Sequence, residues 1–189
     1  VCNYLDIPLQ HIADPVLSRM KRQITSIESR DLIKQIRDKV PDIALRTTML
    51  VGFPGESEDD FDQLSRFIEE VRFDRLGVFQ YSHEEDTSAF LFEDNVPADV
   101  KEQRASELMK IQEPISESLN QQKIGKDYKV LFDRKESGYF VGRTEFDSPE
   151  VDNEVLVPSK ENYIRIGDFA QVTITDATAY DLYAKLSDQ

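Results

Sequence analysis

The sequence is poor in cysteine, in long apolar runs and in positive charge. Its single cysteine, Cys2, excludes an internal disulfide and any cysteine-cage metal site built from this chain alone. No apolar run approaches the roughly eighteen residues of a membrane span, and no basic region followed by an apolar core opens the chain. These absences predict a soluble, cytoplasmic protein without a membrane contact.

Acidic residues outnumber basic ones by 37 to 23, which gives a net charge of -14. Such a field repels phosphate backbones and attracts basic partners, because nucleic-acid affinity depends on Lys and Arg. An acidic surface that only aids solubility is the commoner explanation of such a charge. Nucleic acid is therefore the less favoured partner.

The sequence pattern of the chain changes near residue 125. Before it, strand and helix patterns alternate, which is typical of parallel α/β architecture. Strands are predicted at residues 3–9, 43–51 and 76–81. Helices are predicted after Pro15, from a capping box at Thr25 to about residue 40, from an N-cap at Ser57 to about residue 71, and from residue 97 toward 123, with a kink or a break at Pro114.

From residue 125 onward, short apolar runs alternate with turn residues, which indicates an all-β segment. Five strands are predicted, at residues 128–133, 139–144, 154–157, 169–174 and 179–185. Their number and length suggest a small barrel of OB-like size. The sequence thus predicts two domains, residues 1–124 and 125–189.

The predicted strands of the first domain carry polar residues on one phase, although strands of a covered parallel sheet are usually apolar throughout. The polar phase holds Asp6 and Gln10 in the first strand, Arg46 and Thr48 in the second, and Gln80 with Ser82 in the third. Ligands of a (β/α) barrel lie at the carboxyl ends of such strands. A structural ion pair between Arg46 and Asp6 explains part of the pattern equally well, since a desolvated arginine needs an anion.

The loop at residues 51–57 joins the second strand to a helix and contains two glycines. It could approach a ligand closely or bind an anion at the helix N-terminus. It lacks the Lys-Ser/Thr ending of a P-loop. A tight strand-to-helix turn is the commoner explanation.

Several motifs, in order along the chain, resemble the RimO and MiaB methylthiotransferases. They are DIPLQHI at residues 6–12, RTTMLVGFPGE at 46–56, RFDRLGVF at 72–79, GRTEFD at 142–147, EVDNE at 150–154 and YDLY at 180–183. Members of that family have an N-terminal domain with cluster cysteines, a radical-SAM barrel opened by a three-cysteine motif, and a TRAM domain. The resemblance therefore implies a C-terminal fragment: half of a TIM-like radical-SAM barrel, with three parallel strands and helices, followed by a five-stranded TRAM barrel.

The resemblance also implies a cofactor, S-adenosylmethionine, and residues that contact it. Gln10 and Thr48 are similar to ribose or methionyl contacts, and Arg22 to the arginine that meets the methionine carboxylate. Leu50 and Ser82 are similar to residues lining the adenine, and Arg46 shares their polar phase. For Arg22, which lies outside that phase, a surface arginine is the alternative.

The implied parent enzyme uses two 4Fe-4S clusters, and neither set of cluster cysteines is present here. This chain by itself is therefore expected to bind no cluster or cofactor, to contain no catalytic or metal-binding residue, and to be inactive. The missing N-terminal half of its own chain is an expected partner.

RimO-like members modify an aspartate of small-subunit ribosomal protein twelve at its β-carbon, whereas MiaB-like members modify tRNA. Residues 125–189 hold 8 basic and 13 acidic residues, a charge of 8 - 13 = -5, and the remainder carries 15 - 24 = -9. An RNA-binding barrel should show a basic stripe. The charge favours a basic ribosomal protein bound through the TRAM domain, with a tRNA-modifying enzyme or a non-catalytic binding module as alternatives.

Overall fold

The computed structural model describes residues 2–160 and 162–187. They fall into two compact units, one of residues 5–113 and the other of residues up to 4 together with those from 114 onward. Residue 1 of the first predicted domain, and residues 161, 188 and 189 of the second, lie outside the described residues.

The first unit is built on a three-stranded sheet with the strand order β1-β2-β3, in which β2 and β3 are parallel. Helices connect and follow the strands, so the predicted α/β architecture is confirmed. In chain order the elements are β1 (Tyr4–Gln10), α1 (Asp14–Arg19), α2 (Ser26–Lys39), β2 (Ala44–Val51), α3 (Glu58–Val71), β3 (Arg75–Gln80), a 3-10 helix (Ser88–Leu91) and α4 (Ala98–Gln121).

Capping boxes fix where α2 and α3 begin. The Thr25 hydroxyl accepts a hydrogen bond from the Glu28 amide while the Glu28 carboxylate accepts one from the Thr25 amide, as predicted. Ser57 and Asp60 form the same arrangement at α3. Each box satisfies two amides that the first helical turn leaves without partners.

Helix α4 runs through Pro114 without interruption. Proline removes a single backbone hydrogen bond, and the remaining bonds of this long helix suffice to continue it. The predicted break is therefore wrong, whereas the kink stays a prediction. The division between the two units falls at this residue.

The register of β2 and β3 corrects the predicted face of the third strand. Arg46 pairs with Arg75 and Thr48 pairs with Gly77, whereas Gln80 pairs with Val51. Val51 is fully buried, so Gln80 lies on the phase opposite to that of Thr48. Its assignment to the polar face is wrong, because alternation within one strand does not reveal its register against the next.

The second unit is a closed barrel with the strand order β4-β5-β6-β8-β7. All five predicted strands are present: β4 (Asp127–Glu136), β5 (Tyr139–Arg143), β6 (Glu154–Pro158), β7 (Phe169–Ala177) and β8 (Asp181–Leu186). Phe132, Val155 and Leu182 are fully buried at its centre. Ser137 and Gly138, both with positive φ, form the two-residue turn between β4 and β5, the geometry that suits a tight hairpin.

Two carboxylates face each other on neighbouring strands of this barrel. Asp181 of β8 pairs with Glu154 of β6, and burial together with the negative charge of Glu154 raises the pKa of Asp181 above its ordinary value. The folded state therefore favours the protonated acid, so ionisation costs stability above the folded pKa, and that cost disappears below the unfolded pKa.

We accordingly expect Asp181→Asn to stabilise the barrel at neutral pH by about 0.5 kcal/mol, a small value because Asp181 is only partly buried and solvent screens its charge and its repulsion from Glu154. The gain should shrink toward zero as the pH falls through the carboxyl range. Urea unfolding of both proteins at neutral pH and at about pH 3 measures it. A gain that grows on acidification would contradict the assignment.

Candidate functional site

Asp6 and Arg46 lie on one face of the sheet and form an ion pair. The Arg46 guanidinium donates to the Asp6 carboxylate at 2.6 Å, and the side chains are 18% and 39% exposed. The structural ion pair that the sequence left open is therefore present. It keeps a partly buried positive charge fixed beside Thr48 on β2.

Gly77 of β3 lies beside that pair and leaves room for no more than a methyl group in ordinary contact. A Cβ placed on Gly77 would lie 3.6 Å from both the Thr48 Oγ1 and an Arg46 guanidinium nitrogen. These are ordinary contact distances, so the backbone of β3 passes close to a hydroxyl and a guanidinium. Gly77 was not among the predicted site residues, although a glycine inside a strand often marks a close approach.

The other predicted cofactor contacts lie on or next to the strands of this sheet. Gln10 ends β1 in the left-handed conformation, with φ of 73°. Arg22 donates to the Pro8 carbonyl at 2.8 Å, so it lies beside β1. Leu50 packs against the apolar cluster that includes Phe53. Ser82 lies beyond the end of β3, where it is exposed and donates to Glu84 at 2.5 Å.

The loop after β2 is closed by a buried carboxylate. Glu56 accepts hydrogen bonds from the Gly52 amide at 2.8 Å and the Phe53 amide at 3.4 Å. Its second oxygen accepts from the Arg104 guanidinium at 2.7 Å, and neither side chain is more than 7% exposed. Because these amides already bind a protein carboxylate, the loop forms the tight turn rather than an open anion site at those amides.

His11 is buried beside this network. Its Nδ1 accepts from the Ala13 amide at 3.0 Å, which in a neutral ring leaves the proton on Nε2. That Nε2 lies 3.6 Å from the Glu56 carboxylate, and both side chains are fully buried. These contacts could not be predicted from the sequence, since no local pattern relates His11 or Glu56 to Arg104 on α4.

The position of Lys101 on α4 explains why residue 52, the first glycine of the same loop, has no side chain. A Cβ on Gly52 would lie 2.2 Å from the Lys101 Cγ, so only glycine allows the lysine stem to pass. The buried ammonium group donates to both oxygens of Asp94, at 2.8 and 2.7 Å. Two residues of α4 therefore contact the loop, Arg104 through an ion pair with Glu56 and Lys101 through its apolar stem at Gly52.

The donor chemistry of the chain does not fit an iron-sulfur cluster. Such clusters take several cysteine thiolates, and the sequence has one cysteine, which is exposed. Within residues 2–160 and 162–187, no group of three or more His, Cys, Asp or Glu side chains is arranged to hold a metal ion. Across the same residues, no helix combines the length and apolarity needed to cross a membrane.

A family model and curated relatives both match this chain. The TRAM domain family matches residues 124–186. The ribosomal protein uS12 methylthiotransferase RimO of Cytophaga hutchinsonii is 59% identical over 186 residues, which are 98% of this chain and 43% of that protein. RimO of Flavobacterium johnsoniae is 51% identical over 98% of this chain and 42% of its own length.

Among solved structures, coproporphyrinogen III oxidase (HemN) from Escherichia coli, described as a radical SAM enzyme, aligns with 57% of this chain and 25% of its own. The TM-score is 0.46 and the sequence identity is 20%. The chain spans less than half the length of the curated relatives it matches. In sequence it belongs to the RimO methylthiotransferase family, with a TRAM domain at residues 124–186.

Proposed function

We propose that the chain is the C-terminal part of an enzyme that adds a methylthio group to the β-carbon of an aspartate on ribosomal protein uS12. The observation that carries this proposal is the 59% identity to a RimO over 98% of the chain. A ribosomal substrate implies a cytoplasmic enzyme.

We further propose that the sheet face around Thr48 contributes to binding S-adenosylmethionine. On this face the Thr48 hydroxyl and the Arg46 guanidinium both lie close to Gly77, so a hydrogen-bonding group and a positive charge stand side by side. Gln10, Arg22 and Leu50 lie on or beside the strands that bear this face, and Ser82 follows β3. When bound, the cofactor supplies the radical chemistry that activates an unreactive carbon.

In this proposal the chain's own residues supply position and charge. The Asp6 carboxylate holds the Arg46 guanidinium in place, and Glu56 with Arg104 fixes the loop that follows β2. The two 4Fe-4S clusters of the whole enzyme would be held by cysteines outside this chain, so the chain alone would be inactive and would require the remaining part of the protein.

The charge supports a protein substrate over tRNA. Residues 125–189 carry a net charge of 8 - 13 = -5, which attracts a basic ribosomal protein. The same charge disfavours RNA, because binding to RNA depends on basic residues that displace its counterions. A tRNA-modifying enzyme and a non-catalytic binding module remain the competing functions.

Modification of purified substrates tests the proposal. We expect the longer protein that carries this chain, given S-adenosylmethionine and a reductant, to add the mass of one methylthio group to uS12 and to leave tRNA unchanged. Mass spectrometry of both substrates reads the result, and the chain alone serves as the inactive control. Modified tRNA with unmodified uS12 would refute the substrate, and no modification of either would favour the binding module.

A further inference from the structure

A cavity of about 340 Å³ lies on the outside of the barrel, lined by residues that include Asp133, Arg143, Glu150, Asp152, Asn153 and Glu154. We name it the barrel pocket. We propose that the barrel pocket binds an arginine side chain of a basic protein. The inference rests on the proposed function for the identity of that protein, and it adds the site where the protein is held.

The backbone shapes the barrel pocket. The register of β4 against β5 shifts between Phe132 and Arg134, so Asp133 sits in a β-bulge, a feature that often redirects a side chain at functional sites. Gly142 opposite contributes no side chain. The segment of residues 144–153 is folded by its own hydrogen bonds, in which Thr144 donates to Asp147 at 2.6 Å and the Ser148 amide donates to Asp152 at 2.8 Å.

The charge of the barrel pocket is negative. Four carboxylates and two guanidiniums line it, and the Arg134 guanidinium is already bound to both oxygens of Glu154, at 2.7 and 2.9 Å, and to Glu136. Arg143 approaches the Asp133 carboxylate only to 3.6 Å, which is longer than a hydrogen bond. An additional cation would therefore be attracted to the cavity.

Asn153 supplies an independent indication of a ligand. The residue lines the barrel pocket, is 5% exposed, and its Nδ2 donates to no partner within the described residues. A buried donor without an acceptor costs about 1–3 kcal/mol. An arginine within a peptide would bring its cation to the carboxylates, and a shift of the Asn153 side chain toward the cavity would let its amide donate to a main-chain carbonyl of the peptide.

The spacing of the carboxylates favours a guanidinium over a metal ion. No three acidic side chains of the described residues are grouped closely enough to hold a metal. A guanidinium carries five N–H donors in a planar arrangement, so it can reach carboxylates that lie apart and bind one of them through two hydrogen bonds.

Nuclear magnetic resonance titration of the full chain tests this inference. The probe is a short acetylated peptide with one arginine between glycines, and the control peptide carries citrulline, which has nearly the same shape without the charge. We expect the arginine peptide to shift the Asn153 side-chain amide signal and the Asp133 backbone signal saturably. An equal response to citrulline, or no shift at these residues, would overturn the inference.

Matched variants identify the carboxylates that bind the arginine peptide. Asp133→Asn and Glu150→Gln should each weaken binding of the arginine peptide about fivefold, as expected for the loss of a partly exposed charge pair. Glu145→Gln removes the same charge from an exposed residue of the same segment that does not line the cavity, and should leave binding unchanged. Equal weakening by all three would show an effect of net charge alone and would overturn the inference.

Binding of uS12 to the same variants separates this inference from the proposed function. If uS12 binds and loses affinity only with Asp133→Asn and Glu150→Gln, the barrel pocket is supported. If uS12 binds all variants equally, the barrel pocket is refuted and the function stands. If uS12 does not bind while the arginine peptide does, the substrate is refuted and the barrel pocket stands.

Discussion

Replacing Arg104 by methionine is expected to lower the free energy of unfolding of the unit at residues 5–113 by about 3–5 kcal/mol. The variant leaves the buried Glu56 carboxylate without the guanidinium that lies 2.7 Å from it. Native-state hydrogen exchange of the Gly52 and Phe53 amides measures the effect directly, because both donate to that carboxylate. It also isolates this unit from the barrel, which a global unfolding curve would not.

Arg134→Met is the matched control, since Arg134 also binds glutamates but is 44% exposed. Exposed ion pairs contribute about 0–1 kcal/mol, so its effect on the barrel should stay within that range. Removing both charges in the double variant Glu56→Gln with Arg104→Met should restore part of the loss, because no unpaired charge is then buried. Equal small effects of Arg104→Met and Arg134→Met would show that burial of the first pair has no energetic consequence.

Features encoded in short stretches of sequence were predicted well. The capping box at Thr25 and the N-cap at Ser57 depend on neighbouring residues alone, and both begin helices as expected. The barrel strands were found because apolar alternation and turn residues such as Ser137 and Gly138 recur at short spacing. The ion pair of Asp6 and Arg46 could also be predicted from the sequence, since alternation placed both on the polar face of neighbouring strands.

Features that depend on contacts between distant residues were missed. The register that places Gly77 beside Thr48, and Gln80 on the opposite phase, is a property of two strands. Glu56 and Arg104 are separated by 48 residues, and nothing in either neighbourhood identifies its partner. The bulge at Asp133, and with it the barrel pocket, likewise exists only once β4 is paired with β5.

Gly142→Ala is expected to destabilise the barrel by about 1–3 kcal/mol, the usual cost of forcing an extra methyl group into a packed site. A Cβ there would lie 2.5 Å from the Leu131 carbonyl oxygen and 2.6 Å from a Val130 methyl group, so the backbone of β4 or β5 must move. Hydrogen exchange of the barrel amides provides the measurement.

Gly77→Ala is the control for glycine replacement within a strand. Its nearest contacts would be at 3.6 Å, so its effect on its own unit should stay within about 0.5 kcal/mol. Gly142 begins the motif Gly142-Arg143-Thr144. If Gly142→Ala loses much stability and Gly77→Ala does not, the close contact between β4 and β5 explains why this position is glycine. Equal stability of Gly142→Ala and the parent chain would remove the steric argument and leave the glycine to be explained by a ligand in the barrel pocket that it lines.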